Sequence, residues 1–227
     1  MIGRLKAAIR RAQHRIRTIV TLDKRRRGRI KQLRAQAPPR FGIDFAYGHI
    51  STAALRDAGV SFVCRYLSPD PAKNLSRGEA AVYAAAGIDS VVVYEGNGQI
   101  AGEVRAIGVI AAGVAMAQAR ACGMPAGRPI YFAVDEETTA EAVAEFFAGA
   151  DSVLGRAGTG VYGSYAVCAG LFDRGLVGYA WQTDAWSNGL WDRRCQLQQY
   201  SNGHTLAGVA VDYDRSTHVD FGQWQPR

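Results

Sequence analysis

Five carboxylates stand where apolar runs of this 227-residue chain end, namely Asp44, Glu95, Asp135, Glu137 and Asp212. The most informative run is Pro129-Ile130-Tyr131-Phe132-Ala133-Val134-Asp135-Glu136-Glu137, which reads as a short buried strand followed at once by acids. Side chains alternate along a strand, so Tyr131, Ala133, Asp135 and Glu137 share one face and Phe132, Val134 and Glu136 the other. Carboxylates at the carboxyl ends of buried strands are where α/β proteins usually keep their chemistry. Further polar or aromatic residues at such ends are Arg65, Tyr162, Gln182, Asp184, Trp186, Gln198 and Tyr200. Several acids meeting without metal ligands suit general acid and base work, because crowding and burial keep one protonated while another stays ionised. Glycoside hydrolysis commonly needs that pairing, and Trp181, Trp186, Trp191 and Trp224 offer flat faces for sugar rings or, equally, core packing. Glu136 and Glu137 have a structural alternative, since Thr138 with Glu141 could form a capping box and acids favour a helix start.

The elements that would position these residues begin at Phe41. Strands are expected at Phe41 to Ala46, Phe62 to Leu67, Ser90 to Glu95, Pro129 to Val134, Thr159 to Gly163, Tyr179 to Thr183, Cys195 to Tyr200 and Gly208 to Asp212. Between them, helices are expected at Ser51 to Ala58, from the capping box Ser76/Glu79 to Gly87, from about Gly102 to Cys122, and at Thr139 to Leu154. Eight such units predict parallel strands closing into a small TIM (β/α)8 barrel. Residues 184–194 and 201–207 are too short for full outer helices, so the barrel should be lopsided, with loops joining its last units.

Charge divides the chain. Residues 1–40 hold 14 Lys and Arg against the single acid Asp23, whereas the remainder holds 13 basic and 19 acidic residues. Helical spacing of Ile2, Leu5, Ile9 and of Ile16, Ile19, Val20 predicts a basic amphipathic helical arm over 1–37. Such an arm can meet an anionic membrane, a wall polymer, nucleic acid or another protein, or remain a solvated tail. The linker 38–40 contains Pro38 and Pro39, and the barrel domain follows over 41–227. Cys64, Cys122, Cys168 and Cys195 lack metal-ligand or C-x-x-C spacing and read as buried free thiols; no metal or cofactor signature is present. Arg10-Arg11 has no apolar core of signal-peptide length behind it, and no stretch reads as a membrane span, so the expected route to a cell wall is release with a phage or carriage on a particle.

Eight segments then carry a resemblance. Gly42-Ile43-Asp44-Phe45, Arg65-Tyr66-Leu67-Ser68, Val93-Tyr94-Glu95, Ile130-Tyr131-Phe132-Ala133-Val134-Asp135, Gly160-Val161-Tyr162-Gly163-Ser164-Tyr165, Trp181-Gln182-Thr183-Asp184-Ala185-Trp186-Ser187, Gln198-Gln199-Tyr200 and Val211-Asp212 resemble, in this order, a glycoside-hydrolase-like family of actinobacterial and phage proteins related to the family 25 lysozymes. The resemblance spans about residues 41–224 and implies a TIM barrel acting on peptidoglycan. It matches Asp44 and Asp212 to barrel-mouth aspartates and Asp135 to the proton donor, with Glu95, Asp44 and Asp212 as base, nucleophile or orienting groups in an order left open. One departure matters. Lysozyme relatives end this strand with Asp-x-Glu, and here Ala133 stands at the first acid; a register slip to Asp135-x-Glu137 would restore the pair but break the preceding match. The missing carboxylate suggests either that the substrate's own N-acetyl group attacks, or that the barrel is a non-catalytic glycan-binding head anchored by the arm.

Overall fold

The computed structural model describes residues 39–226. The expected basic arm over 1–37 lies outside the described residues. Strands β1 (Phe41–Asp44), β2 (Phe62–Leu67), β3 (Asp89–Tyr94), β4 (Ile130–Ala133), β5 (Thr159–Gly163), β6 (Tyr179–Thr183), β7 (Leu197–Leu206) and β8 (Val209–Ser216) close a barrel in sequence order. Helices α1 (Thr52–Asp57), α2 (Arg77–Ala85), α3 (Arg105–Ala121), α4 (Ala140–Leu154) and α5 (Tyr165–Asp173) fill the connections as far as β6. The connection from β6 to β7 has no helix, which is the expected lopsidedness. No described helix is long and apolar enough to cross a membrane.

The closure differs from the expected all-parallel barrel. β1 to β7 run parallel, but β8 is antiparallel to both β7 and β1. Residues 201–207, expected as a loop, instead extend β7 into a hairpin that turns at Ala207 and Gly208, both at positive φ. A two-residue turn with positive φ at both positions matches the twist of its strands, so β8 returns at once and cannot be parallel.

Local rules explain most helix starts. Ser51, Ser76 and Ser164 each accept a hydrogen bond from the backbone N–H three residues on. The start of α4 shifts by one residue from expectation, with Thr139 as cap and Ala142 N–H as donor, so the Thr138/Glu141 box does not form. At α2, Ser76 caps Glu79 as expected, yet the Glu79 carboxylate turns to Arg65 and Tyr83 instead of reaching back. Helix α3 turns Ile107, Ile110 and Val114 outward, while Ala111, Ala112, Ala115 and Ala119 pack inward.

Two apolar layers result. One, including Ile43, Val63, Val92, Phe132, Phe146 and Phe147, lies between the strands and the helices; the other, Phe62, Cys64, Val91, Val93, Tyr131, Ala133, Trp181, Leu197 and Phe221, fills the barrel. Phe221 belongs to the segment after β8, which crosses the amino-terminal end of the strands and pairs Trp224 with Ser90. Arg40, placed in the linker by sequence, is part of that floor: its guanidinium pairs with Asp89 at 2.7 Å and donates to the Ser61 carbonyl at 2.6 Å. With the floor closed by side chains, the barrel interior opens at its carboxyl-terminal mouth. All four cysteines are buried and free.

Candidate active site

Strand alternation decides which side chains reach the mouth. Inward positions of successive strands bring Asp44, Tyr66, Val93, Ala133, Tyr162, Trp181, Gln199 and Asp212 into the barrel; Glu95 and Asp135 continue the faces of β3 and β4 by one step. Nine of these residues, Asp44 excepted, line a cavity of about 130 Å³.

Asp135 stands at its rim. Partial desolvation first, and the neighbouring Glu95 charge second, push its carboxyl above the ordinary aspartate range, with Lys73 pulling the other way. Its backbone N–H donates to the Gly98 carbonyl at 2.8 Å. A Cβ on Gly98 would lie 3.2 Å from Asp135 Cβ and 3.6 Å from Glu95 Oε1, so the turn after β3 threads between the two acids and has no room for a side chain. Glu95 is held by Lys73 Nζ at 2.6 Å. Lys73 comes from the β2–α2 connection and also lies 5.6 Å from the Tyr47 and Tyr66 ring centroids. Among the described residues, one acid of the pair is thus partnered by a cation and the other is not.

Beneath them lies a polar relay. Gln199 Nε2 donates to Asp44 Oδ2 at 2.7 Å and to Asp212 Oδ2 at 3.3 Å, while its Oε1 accepts from Tyr162 and Thr183 hydroxyls at 2.9 and 2.8 Å. Asp212 Oδ1 also accepts from the Gly203 N–H at 2.7 Å, which ties the β7–β8 hairpin to the mouth. Asp44 is buried, and burial pushes its carboxyl up to about 7 against the opposing hydrogen bond from Gln199. Below it, Asp214 is fully buried and accepts from Trp181 Nε1 at 2.8 Å.

Other sequence candidates lie elsewhere. Arg65 occupies an outward position of β2, where its Nε donates to Glu79 at 2.9 Å and its Nη1 to the Phe45 and Ala46 carbonyls. Gln182 faces outward from β6 and clamps the following loop, donating to the Leu190 carbonyl at 2.7 Å and accepting from the Asp192 N–H at 3.0 Å. Gln198 pairs with Arg215 Nε at 2.6 Å on the outside of β7, and Tyr200 is exposed beneath the Arg215 guanidinium. Glu137 and Asp184 are exposed and do not line the cavity. Glu136 is structural, accepting the Ile100 and Ala101 N–H groups at 2.7 and 2.8 Å. Trp186 is held at φ 55 on the β6–β7 connection with its ring partly exposed, whereas Trp224 belongs to the floor. The residues missed by sequence reading are Tyr66, Lys73, Thr183, Gln199 and Asp214. Gln199 was findable by counting alternate positions from Leu197; Asp214 was not, because β8 was expected to stop at Asp212.

The model of one protein family, described as the Rv2525c-like glycoside hydrolase-like domain, matches residues 53–218. The chain belongs to this family. Among individual relatives it is 29% identical over 202 residues to the Mycobacterium tuberculosis protein named "Putative peptidoglycan hydrolase Rv2525c", an alignment covering 80% of this chain and 82% of that protein. The crystal structure of the Tat-secreted Rv2525c with L-tartrate superposes with a TM-score of 0.76 at 26% identity, covering 81% of this chain and 98% of that one. The modular autolysin LytC of Streptococcus pneumoniae shares the fold, with a TM-score of 0.58 at 12% identity over 78% of this chain and 46% of that one. Within the Rv2525c-like family, the barrel and its mouth over β2 to β8 fall inside the matched span, and β1 with Asp44 precedes it.

Proposed function

We propose that this chain hydrolyses a glycosidic bond of peptidoglycan, with Asp135 as the proton donor. The observation that carries the reading is the unequal pair at the mouth: Asp135, raised and without a cation partner among the described residues, beside Glu95, held by Lys73. Family membership and the name of the mycobacterial relative support the substrate class. Asp135 donates its proton to the glycosidic oxygen as the bond breaks. Glu95 and Asp212 line the cavity and are the groups available to act on substrate or water; Asp44, beneath Gln199, acts through that amide as an orienting group. At Ala133 a methyl group faces the cavity beside Val93 and Trp181, leaving an apolar place for the acetamido methyl of a substrate whose own carbonyl oxygen attacks the anomeric carbon. A sugar whose acetamide cannot attack then stays uncut.

Ala133 also favours a second reading, a glycan-binding head that the basic residues 1–37 attach to a wall or particle surface. Wall sedimentation over a salt series and reducing-sugar release, measured together on wild type and Asp135→Asn, separate the two. For the enzyme, Asp135→Asn loses release by about 10²-fold or more while sedimentation is unchanged, and wild-type release falls as pH rises through the raised Asp135 titration. A mutant that releases sugar as fast as wild type sinks the assignment. Equal sedimentation with no release from either protein moves the conclusion to the binding head.

A further inference from the structure

The polar relay ends in a pair of buried carboxylates with no cation facing it among the described residues. Asp214 is 0% exposed and Asp44 is 3% exposed. They belong to antiparallel neighbours, with Asp214 opposite Gly42 and Asp212 opposite Asp44, so all three aspartates project to the same interior face. Asp214 Oδ1 accepts from Trp181 Nε1, but Oδ2 is buried without a donor in the structure. Its neighbour on that face is the Asp44 carboxylate, whose charge bears on it more than that of any other group. Two ionised carboxylates only accept hydrogen bonds, so their proximity is favourable only if one proton lies between them.

We propose that Asp214 is a positioning residue that shares one proton with Asp44 on the floor of the cavity and thereby fixes Gln199 and Tyr162 above it. With the proton donated from Asp214, Asp44 keeps a free oxygen to accept the Gln199 amide. The amide is then oriented in one sense only: its nitrogen faces Asp44 and Asp212, and its oxygen receives Tyr162 and Thr183. The groups facing the pair are Cys64 and Tyr66 from β2, Tyr162 from β5, Trp181 from β6, Gln199 from β7 and Asp212 from β8. Burial pushes the Cys64, Tyr66 and Tyr162 protons well up, so these groups stay neutral, and Asp212 adds a like charge. Burial first and Asp44 second hold Asp214 well above the ordinary carboxylate range. Loss of the shared proton leaves two charges in contact and turns the relay off.

The proton itself does not depend on the enzymatic reading; only its consequence for turnover rests on it. Infrared spectra of the substrate-free protein in mildly acidic buffer test it. In an Asp135→Asn background, which removes the other raised carboxyl of the mouth, the protein should show the carbonyl band of a protonated, buried carboxyl group, and adding Asp214→Asn, which leaves an amide to donate to Asp44, should remove that band. Its persistence in the double variant, or its absence from the Asp135→Asn protein, overturns the proposal. As a second measurement that needs no stable variant, the wild-type Trp181 indole N–H resonance should shift as pH is raised over the range in which the fold persists and the shared proton leaves. A resonance that does not move there overturns the proposal as well. If the mouth is an active site, Asp214→Asn changes the alkaline limb of the pH profile; a protein with no activity leaves both spectroscopic tests unaffected.

Discussion

Arg65 and Asp135 show how little separates a structural residue from a chemical one at the end of a barrel strand. Both follow an apolar run, but Arg65 points outward and its guanidinium is consumed by Glu79 and two backbone carbonyls. The ion pair is nearly solvent-free on the Arg65 side, with 3% of that side chain exposed. Removing one member of such a pair costs about 3–5 kcal/mol, because the other charge is left buried. Arg65→Met should therefore lower the unfolding free energy by about that amount in denaturant melts, and a change under about 1 kcal/mol would show that the pair is not needed. Sequence composition at strand ends found Asp44, Glu95, Asp135, Tyr162 and Asp212, which the structure brings together. It also admitted Arg65, Gln182 and Gln198, each one residue out of phase with the inward face. A strand has period two, so a shift of one in the counted face exchanges every interior residue for an exterior one. Lys73 was illegible for another reason: it reaches Glu95 from a connection, where no periodicity fixes direction.

The elements were legible wherever one side of a segment is apolar and the other is not. Six strands and the main helices fall close to their expected places, since their apolar runs and serine or threonine caps are local signals. The hairpin was not legible, because β7 beyond Gln199 and β8 beyond Asp212 leave the apolar pattern and are held by pairing with each other. The helical layer depends on close approach at two glycines. A Cβ at Gly149 of α4 would stand 2.1 Å from the Arg105 carbonyl oxygen at the start of α3, and one at Gly108 would stand 1.9 Å from the Phe146 carbonyl oxygen. Backbone meets backbone there, so no side-chain rotation can relieve an added methyl. Gly149→Ala should cost about 1–3 kcal/mol and lower Tm by roughly 2–4 °C per kcal/mol, read by calorimetry. An unchanged or raised Tm would mean that the two helices do not cross so closely. The α3–α4 pair packs over β3 and β4, the strands that lead to Glu95 and Asp135.

At the scale of the molecule, the described barrel is closed below by Arg40, Phe221 and Trp224 and open above, where its acids converge. A basic stretch of 14 Lys and Arg in the first 40 residues precedes a body carrying 19 acids against 13 basic residues. Attraction of such a stretch to an anionic polymer weakens with salt, whereas the breaking of a bond in the mouth of the barrel does not depend on it in the same way. The decisive quantity is therefore the bond that is broken. Purified peptidoglycan digested with the full chain should yield fragments with new saccharide reducing ends, detected by borohydride reduction and mass spectrometry, in proportion to enzyme and time. New free amino groups without new reducing ends, or no soluble fragments at all, would contradict glycosidic hydrolysis by this barrel.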